Sequence, residues 1–141
     1  MPNFKGGPKE AAKMLQALGV GASRKLLEEI RQKDPQMAEL LENQLYSLED
    51  LRALTPAMMR DFLQGVKLEE LGIALRTYDR SLADSIFEKV SSGMKADIQD
   101  GLNGKPRKVS EVEEIQSRLL DHLKLLIDQG KVVISHDDEY V

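Results

Sequence analysis

Cysteine is absent from the 141 residues. That removes disulfide staples, thiol nucleophiles and thiolate metal ligands together, and it suits a reducing compartment. Tryptophan is absent too, and aromatic residues make up only 4% of the chain. A core must therefore come from Leu, Ile, Met and Ala, as in helical bundles and helical repeats. No stretch reaches the roughly 18 consecutive apolar residues of a membrane-spanning helix, and residues 1–13 lack the apolar centre of a signal peptide, so an unexported protein without membrane insertion is expected. Neither sign of charge dominates: 20 Lys and Arg stand against 24 Asp and Glu, a net charge of -4 with the signs interspersed. Such a chain has no overall field with which to hold nucleic acid.

What is present is a succession of polar helix starts, each followed by apolar residues three and four apart. Pro8 suits the first position of a helix over 8–18 with Ala11, Met14, Leu15 and Leu18 on one stripe, ended by Gly19 and Gly21. Ser23 can cap a second helix carrying Leu26, Leu27 and Ile30 as far as Lys33. Asp34 with Pro35 starts a third that buries Met37, Leu40, Leu41 and Leu45. Ser47 and Asp50 make a start resembling a capping box for a short helix with Leu48, Leu51 and Leu54, and Thr55 with Pro56 starts the next, with Met59, Phe62 and Leu63 inward. Helices follow at 68–76 and, capped by Asp79, at 80–90, with Leu71, Leu75, Leu82, Ile86 and Phe87 inward. Segment 91–101 is weaker because Gly93 and Gly101 each cost up to about 1 kcal/mol relative to Ala. After the loop 103–106, Ser110 and Glu113 read as a capping box for the longest helix, with Val112, Ile115, Leu119, Leu123 and Leu126 on one stripe and Gly130 as its stop. Val132, Val133 and Ile134 form a short extended segment before an acidic tail. The fold class is all-α, with short linkers placing an internal boundary near 46–48 or near 64–67, and no clean repeat period.

Catalytic chemistry finds little support. The histidines are His122, read as a solvated position in the long helix, and His136, in a tail whose adjacent acids cannot impose a coordination geometry. The glycine pairs lack the strand and the Lys-Ser/Thr partner of a phosphate loop. The neighbouring acids Glu69 and Glu70, or Glu113 and Glu114, are read as surface. No catalytic, metal or cofactor-binding residue is assigned, and no cofactor is expected. One local excess remains: Lys89, Lys95, Lys105, Arg107 and Lys108 against Asp97 and Asp100, a candidate contact surface without the aromatic residues of a single-strand binder.

Particular letters carry a resemblance. Gly6 and Gly7 followed by Lys9, Ala12, Met14 and Leu15 are similar to a glycine-pair linker and the helix after it. Asp34, Pro35, Ala38 and Glu39 resemble an Asp-Pro-Glu-Leu-Ala-Glu stretch, and the run from Leu45 through Tyr46, Ser47 and Leu48 to Leu51 resembles Met-Phe-x-Phe-Glu-Asp-Leu. Residues 71–76 are similar to Leu-Ala-Leu-Ala-Leu-Lys. Pro106, Lys108, Ser110, Val112, Glu113, Glu114 and Gln116 match Gly-Pro-Val-Arg-Leu-Ser-Asp-Val-Glu-x-x-Gln, and residues 130–134 match a closing Gly-Glu-Ile-Val-Ile. In that order and spacing the set resembles the C-terminal half of the flagellar motor switch protein FliG family.

The resemblance implies an N-terminal linker over 1–7 with Gly6 and Gly7, an armadillo-like module of short helices over 8–63 and a six-helix, torque-type module over 64–134. Packing would be right-handed superhelical and orthogonal, with a hinge at Leu45, Tyr46, Ser47 and Leu48 and an acidic tail over 135–141. It also implies a non-enzymatic scaffold of the rotor C-ring at the cytoplasmic face of the inner membrane. Its partners would be switch-complex proteins such as FliM and the cytoplasmic loop of the stator protein MotA, the latter met by a charged face of Lys95, Asp100 and Lys108. The chain departs from the family at Gly93, where an arginine is usual, and at Gly101, where an acid is usual. These departures leave open an adaptor in another motility or envelope assembly without stator engagement, and an unsuspected small enzyme. An armadillo-like end without its neighbour also implies apolar area to cover, with Leu15, Leu18, Leu26, Leu27 and Leu41 as candidates, hence self-association or another helical partner.

Overall fold

The start of a helix leaves backbone N–H groups without partners, and in this chain short polar side chains take them up. In the computed structural model, which describes residues 11–15 and 20–134, Asp34 accepts from the Met37 N–H at 3.2 Å and Thr55 from Met58 at 3.1 Å. Asp79 accepts from Ser81 at 2.8 Å, and Ser91, a cap the pattern did not single out, from Met94 at 3.2 Å. Each is worth about 1 kcal/mol. Pro35 and Pro56 follow their caps at the position where a missing N–H is no loss. The helices so defined are α1 (Val20–Lys33), α2 (Pro35–Leu45), α3 (Pro56–Leu63), α4 (Leu68–Ala74), α5 (Arg80–Phe87), α6 (Ser92–Leu102) and α7 (Val109–Asp128), with 3-10 turns at Leu48–Ala53 and Leu75–Thr77. Among the described residues there is no strand.

The chain divides into two compact units, with breaks between Ser47 and Leu48 and between Val132 and Val133. In the first, Asp34 alone links α1 to α2: its N–H closes on the Ile30 carbonyl while its carboxylate opens the next helix. Ala11, Ala12, Leu15, Leu27, Ile30, Ala38, Leu41 and Leu45 form the core, with Leu26, Met37 and Tyr46 against it. Each fully buried aliphatic side chain contributes about 1.5–3 kcal/mol. Glu42 is buried beside them and is held by Arg31, which also reaches Glu28 at 2.8 Å. A buried carboxylate is tolerable only with such a partner.

Several expectations need correcting here. α1 begins at Val20, so Gly21 and Ser23 lie inside its first turn rather than before it. A glycine in a helix costs at most about 1 kcal/mol, less than the rest of α1 gains by burying Leu27 and Ile30. Leu40 is half exposed, and Ala38 and Glu42 take the inward positions beside Leu41 and Leu45. Of the five leucines expected to seek a partner, Leu15, Leu27 and Leu41 are internal and Leu26 packs against the core. Among the described residues, the large apolar side chains that do face solvent are Met14, Leu40, Val109, Leu125 and Val133. Leu18, the remainder of the helix expected over 8–18, the linker glycines Gly6 and Gly7, His136 and the acidic tail lie outside the described residues.

The second unit, from Leu48 to Val132, is built around α4. Leu71, Gly72, Ile73 and Ala74, with Leu75 after them, are consecutive and all buried, so the second half of this helix is enclosed on every side while Glu69 in its first turn is exposed, with α6 and α7 as its main neighbours. Against α6 the two backbones meet directly. A Cβ added at Gly72 would lie 2.0 Å from the Ile98 carbonyl oxygen, and one added at Gly101 would lie 1.9 Å from that of Glu69. Neither position has room for a side chain. Leu48, Leu51 and Leu54 recur every third residue, matching the 3-10 period, and that segment forms a 3-10 helix instead of the expected α-helix. It is closed by Lys89, whose ammonium donates to the Arg52 and Leu51 carbonyls at 2.7 and 3.4 Å. The helix expected over 80–90 stops at Phe87.

The long helix carries its stripe as expected, with Val112, Ile115, Leu119, Leu123 and Leu126 buried, and ends at Gly130, whose φ is 75°. Its start differs. Lys108 is the N-cap without a side-chain bond, and Ser110 sits inside the first turn, so the expected capping box does not form. With Val109 well exposed, water can satisfy those first N–H groups, and Glu111 complements the helix dipole.

The glycine contact predicts a contrast between substitutions. Gly72→Ala and Gly101→Ala should each lower the free energy of unfolding by about 1–3 kcal/mol or prevent folding. Gly93→Ala, where a Cβ meets nothing within 4 Å, should be neutral or stabilising by up to about 1 kcal/mol. Urea denaturation of the three variants checks this, and equal midpoints would refute the close approach.

Candidate protein-contact surface

The local basic excess is spread over α6, the loop after it and the start of α7, and the structure sorts its members by what each already holds. Lys89 is turned inward onto the carbonyls of Leu51 and Arg52, and burial pushes its ammonium pKa down. Arg107 pairs with Glu111 at 3.3 Å and Glu69 at 3.9 Å. Lys95 is exposed on α6 with its ammonium 5.3 Å from the centre of the Phe87 ring, a cation–π contact that leaves the charge in water. Lys105 and Lys108 are exposed, and Asp100 is exposed on α6. Among the described residues no ion pair joins Asp100 to Lys95 or Lys108. These three therefore offer charge to the surroundings and do not neutralise one another.

The hinge residues straddle the break between units. Leu45 is buried in the core of the first and Leu48 is buried in the second. Between them Tyr46 is extended at φ -123° and ψ 143°, its N–H still held by the Glu42 carbonyl at 2.9 Å, and Ser47 is exposed.

Two polar residues that the sequence places inside its motifs without a role, Arg76 and Gln116, hold the surface in place. Arg76 donates through Nε and Nη2 to the Gly101 carbonyl at 2.9 and 2.6 Å and through Nη1 to that of Lys105 at 2.8 Å. It thereby fastens the C-terminal end of α6 and the following loop to the end of α4. Gln116 of α7 donates to the Ala74 carbonyl at 2.8 Å and contacts the Thr77 hydroxyl at 2.7 Å. The one available signal was position: an Arg closing an apolar run, and a Gln one residue beyond the buried Ile115.

His122 is not solvated as expected. It is half-buried, with Nε2 2.8 Å from the Phe62 carbonyl oxygen and its ring centre 5.3 Å from that of Phe62. Glu70 is likewise not free surface, for it receives a 2.8 Å hydrogen bond from Arg118 of α7. That bond holds the Glu70 carboxyl below its ordinary value, against a partial burial that pulls the other way. Among the described residues no three His, Cys, Asp or Glu gather as a metal site, and no helix is long and apolar enough to cross a membrane.

Short capped helices, one buried all round, and a charged rim on α6 and α7 define an all-α helical module. The chain belongs to the FliG C-terminal domain family, whose model matches residues 28–134. It is 25% identical to the flagellar motor switch protein FliG of Thermotoga maritima over 92% of this chain, and 28% identical to that of Vibrio cholerae over the same share. The chain spans 39% and 37% of the length of those two proteins. Full-length FliG from Aquifex aeolicus is similar in structure, with a TM-score of 0.73 and 25% identity over 92% of this chain and 40% of that one. A FliG fragment from Helicobacter pylori, at 20% identity and a TM-score of 0.61, shares the fold.

The Glu70 carboxylate gives a signed pH dependence. Because its folded pKa is depressed, the pair's contribution is complete above the unfolded value near 4.3 and is lost as pH falls through the folded one. Thermal melts between about pH 5 and pH 3 should therefore fall less steeply for Glu70→Gln than for the unaltered chain. Parallel curves would show that the pair contributes nothing.

Proposed function

We propose that this chain works as a rotor or switch-complex component of a flagellar motor, by helix-packing contacts and a charged face rather than by turnover. The observation that carries the reading is the family match over 28–134 together with the structural likeness to full-length FliG. On this reading residues 8–63 serve as the armadillo-like module and 64–134 as the torque-type module, although residues 48–63 pack within the second compact unit. Leu45, Tyr46, Ser47 and Leu48 act as the hinge, and the protein sits at the cytoplasmic face of the inner membrane. Its partners are switch proteins such as FliM and the cytoplasmic loop of the stator protein MotA, with self-association of the first module as a further contact. Support for a stator-facing role comes from Lys95, Asp100 and Lys108, which are exposed and engage no carboxylate or cation of their own chain among the described residues. Contacts of this kind work through steering that salt screens.

A second reading, an adaptor in another motility or envelope assembly, is favoured by one observation. Gly93 carries no charge, and Gly101 is pressed against the Glu69 backbone where no acid can stand.

Genetics separates the two. Deleting the gene in its host should abolish swimming or switching, and complementation with Asp100→Lys plus Lys108→Glu should restore filaments but not normal rotation. Exposed pairs are each worth about 0–1 kcal/mol, so single reversals should be mild and the double one additive. A motile deletion strain with intact switching rejects the rotor role. Full rescue by the double reversal rejects the charged face and leaves a packed scaffold.

A further inference from the structure

The loop between α6 and α7 opens with Asn103 and Gly104, both exposed. An asparagine followed by glycine is prone to close a ring on itself, because glycine has no side chain to shield its backbone nitrogen or to restrict its rotation. The fold requires the glycine. A Cβ at 104 would lie 2.9 Å from the Asp100 carbonyl oxygen and 3.3 Å from the Arg76 Nη2, so a side chain there would press into the end of α6. The other asparagine among the described residues, Asn43, precedes Gln44 inside α2 and lacks both features.

Nothing local holds the two reacting groups apart. Among the described residues the Asn103 side chain makes no hydrogen bond and the Gly104 N–H donates to no carbonyl. Asn103 has left the helical conformation, at φ -106° and ψ 7°, while its own N–H stays on the Gln99 carbonyl at 2.9 Å. Rotation about ψ swings the Gly104 nitrogen toward the Asn103 Cγ and leaves that N–H bond intact. The dihedral freedom of Gly104 lets the rest of the loop stay where it is. Within one dipeptide the reaction then has the advantage of an intramolecular attack. The cation of Arg76 beside Gly104 favours the deprotonated amide nitrogen, which is the nucleophile. Asp100 with Gly101 is a pair of related reactivity, but Gly101 lies inside α6 against the Glu69 backbone and cannot turn.

We propose that Asn103 is a site of spontaneous covalent modification, deamidating through a cyclic imide formed with Gly104. The Gly104 nitrogen bonds to the Asn103 Cγ, the Cγ–Nδ2 bond breaks, and the side-chain nitrogen leaves as ammonia with the proton that Gly104 gives up. Water then adds its oxygen to one of the two imide carbonyl carbons, the C–N bond there breaks, and the nitrogen regains a proton. Opening at Cγ gives an aspartate with the main chain unchanged. Opening at the other carbonyl gives an isoaspartate, whose main chain runs through the side-chain carbon and is one atom longer. Either way the loop gains a carboxylate. The isoaspartate does more, because the Gly101 and Lys105 carbonyls on either side of it are both held by the one Arg76 guanidinium. A longer chain between two fixed points must release one of them. The loop thus carries a slow, one-way change of charge and geometry, and this needs no motor role.

The test incubates the full chain, folded and in urea, at neutral and mildly alkaline pH. Peptide mass mapping is combined with enzymatic methylation of isoaspartate by S-adenosylmethionine. In the folded chain residue 103 should gain the mass of an NH2 replaced by OH, faster in alkali because the nucleophile is the deprotonated amide. Asn43 and Asp100 should stay unchanged, and Asn103→Ser should abolish both the mass gain and the methyl acceptance. Conversion at 103 only in urea, or equal conversion at Asn43, overturns the proposal. The loop consequence is read by nitrogen-15 NMR at the Arg76 Nε–H, which donates to the Gly101 carbonyl at 2.9 Å. Its exchange with water should quicken about fivefold in the isoaspartate form, as for the loss of one hydrogen bond. It should keep the parent rate in freshly prepared Asn103→Asp. Unchanged exchange in the isoaspartate form, or equal quickening in Asn103→Asp, overturns the argument from main-chain length.

Discussion

The direct approach of the α4 and α6 backbones is the constraint on which the second unit depends. Gly72 and Gly101 bring the two helices closer than any pair with side chains at those positions could come. Only at that distance can the second half of the short α4 be covered on every side by neighbours of modest size. The four consecutive buried residues that end α4 then follow, as does the need to satisfy its C-terminal end without water. Gln116 takes the Ala74 carbonyl, and Arg76 reaches outward from the next turn. Among the described residues no buried side-chain polar atom lacks a partner, which is what a core this enclosed requires.

The same contact decides which surface is offered. With Ile98 and Gly101 pressed inward, α6 must turn Asp97 and Asp100 to solvent, because residues one position away along a helix are rotated by about 100°, and Lys95 near its start is exposed as well. Arg76 then ties the end of α6 and the Lys105 carbonyl to one guanidinium. The exposed loop residues Lys105 and Lys108 are therefore carried on a braced segment, and their charges are presented from a fixed frame. Gly104 permits both the brace and access to it.

The all-α class, the α2, α3 and α5 starts at Asp34, Thr55 and Asp79, and the stripe of α7 were legible in the sequence, since each rests on local chemistry: a cap, a proline, a 3.6-residue period. What was illegible was set by contacts distant in the chain. Leu48, Leu51 and Leu54 fit an α-helix or a 3-10 helix on spacing alone, and the Lys89 ammonium, supplied from after α5, closes the 3-10 form. Ser110 and Glu113 have the letters of a capping box, yet the helix starts earlier because its first turn faces water. His122 and Glu70 were read as surface because their partners, the Phe62 carbonyl and Arg118, come from other helices. For the contact surface the residue types were legible but not their employment, since nothing local distinguishes the inward Lys89 from the outward Lys108.

The two glycines at positions where the sequence resemblance implies a charge lack one for different physical reasons. Gly93 stands on the exposed side of α6, where an added Cβ meets nothing within 4 Å, so a side chain there would change the surface and not the core. Gly101 is a packing residue: any Cβ would enter the Glu69 backbone, so the acid cannot be restored without moving α4 from α6. The charge missing at 101 is thus coupled to Gly72 across the contact. At this end of α6 the acidic charge stands at Asp100, one position before the packed Gly101, while the other side of the loop is basic through Lys105 and Lys108. The surface is accordingly a consequence of the core, and its polarity follows from which helix faces the two glycines bring together.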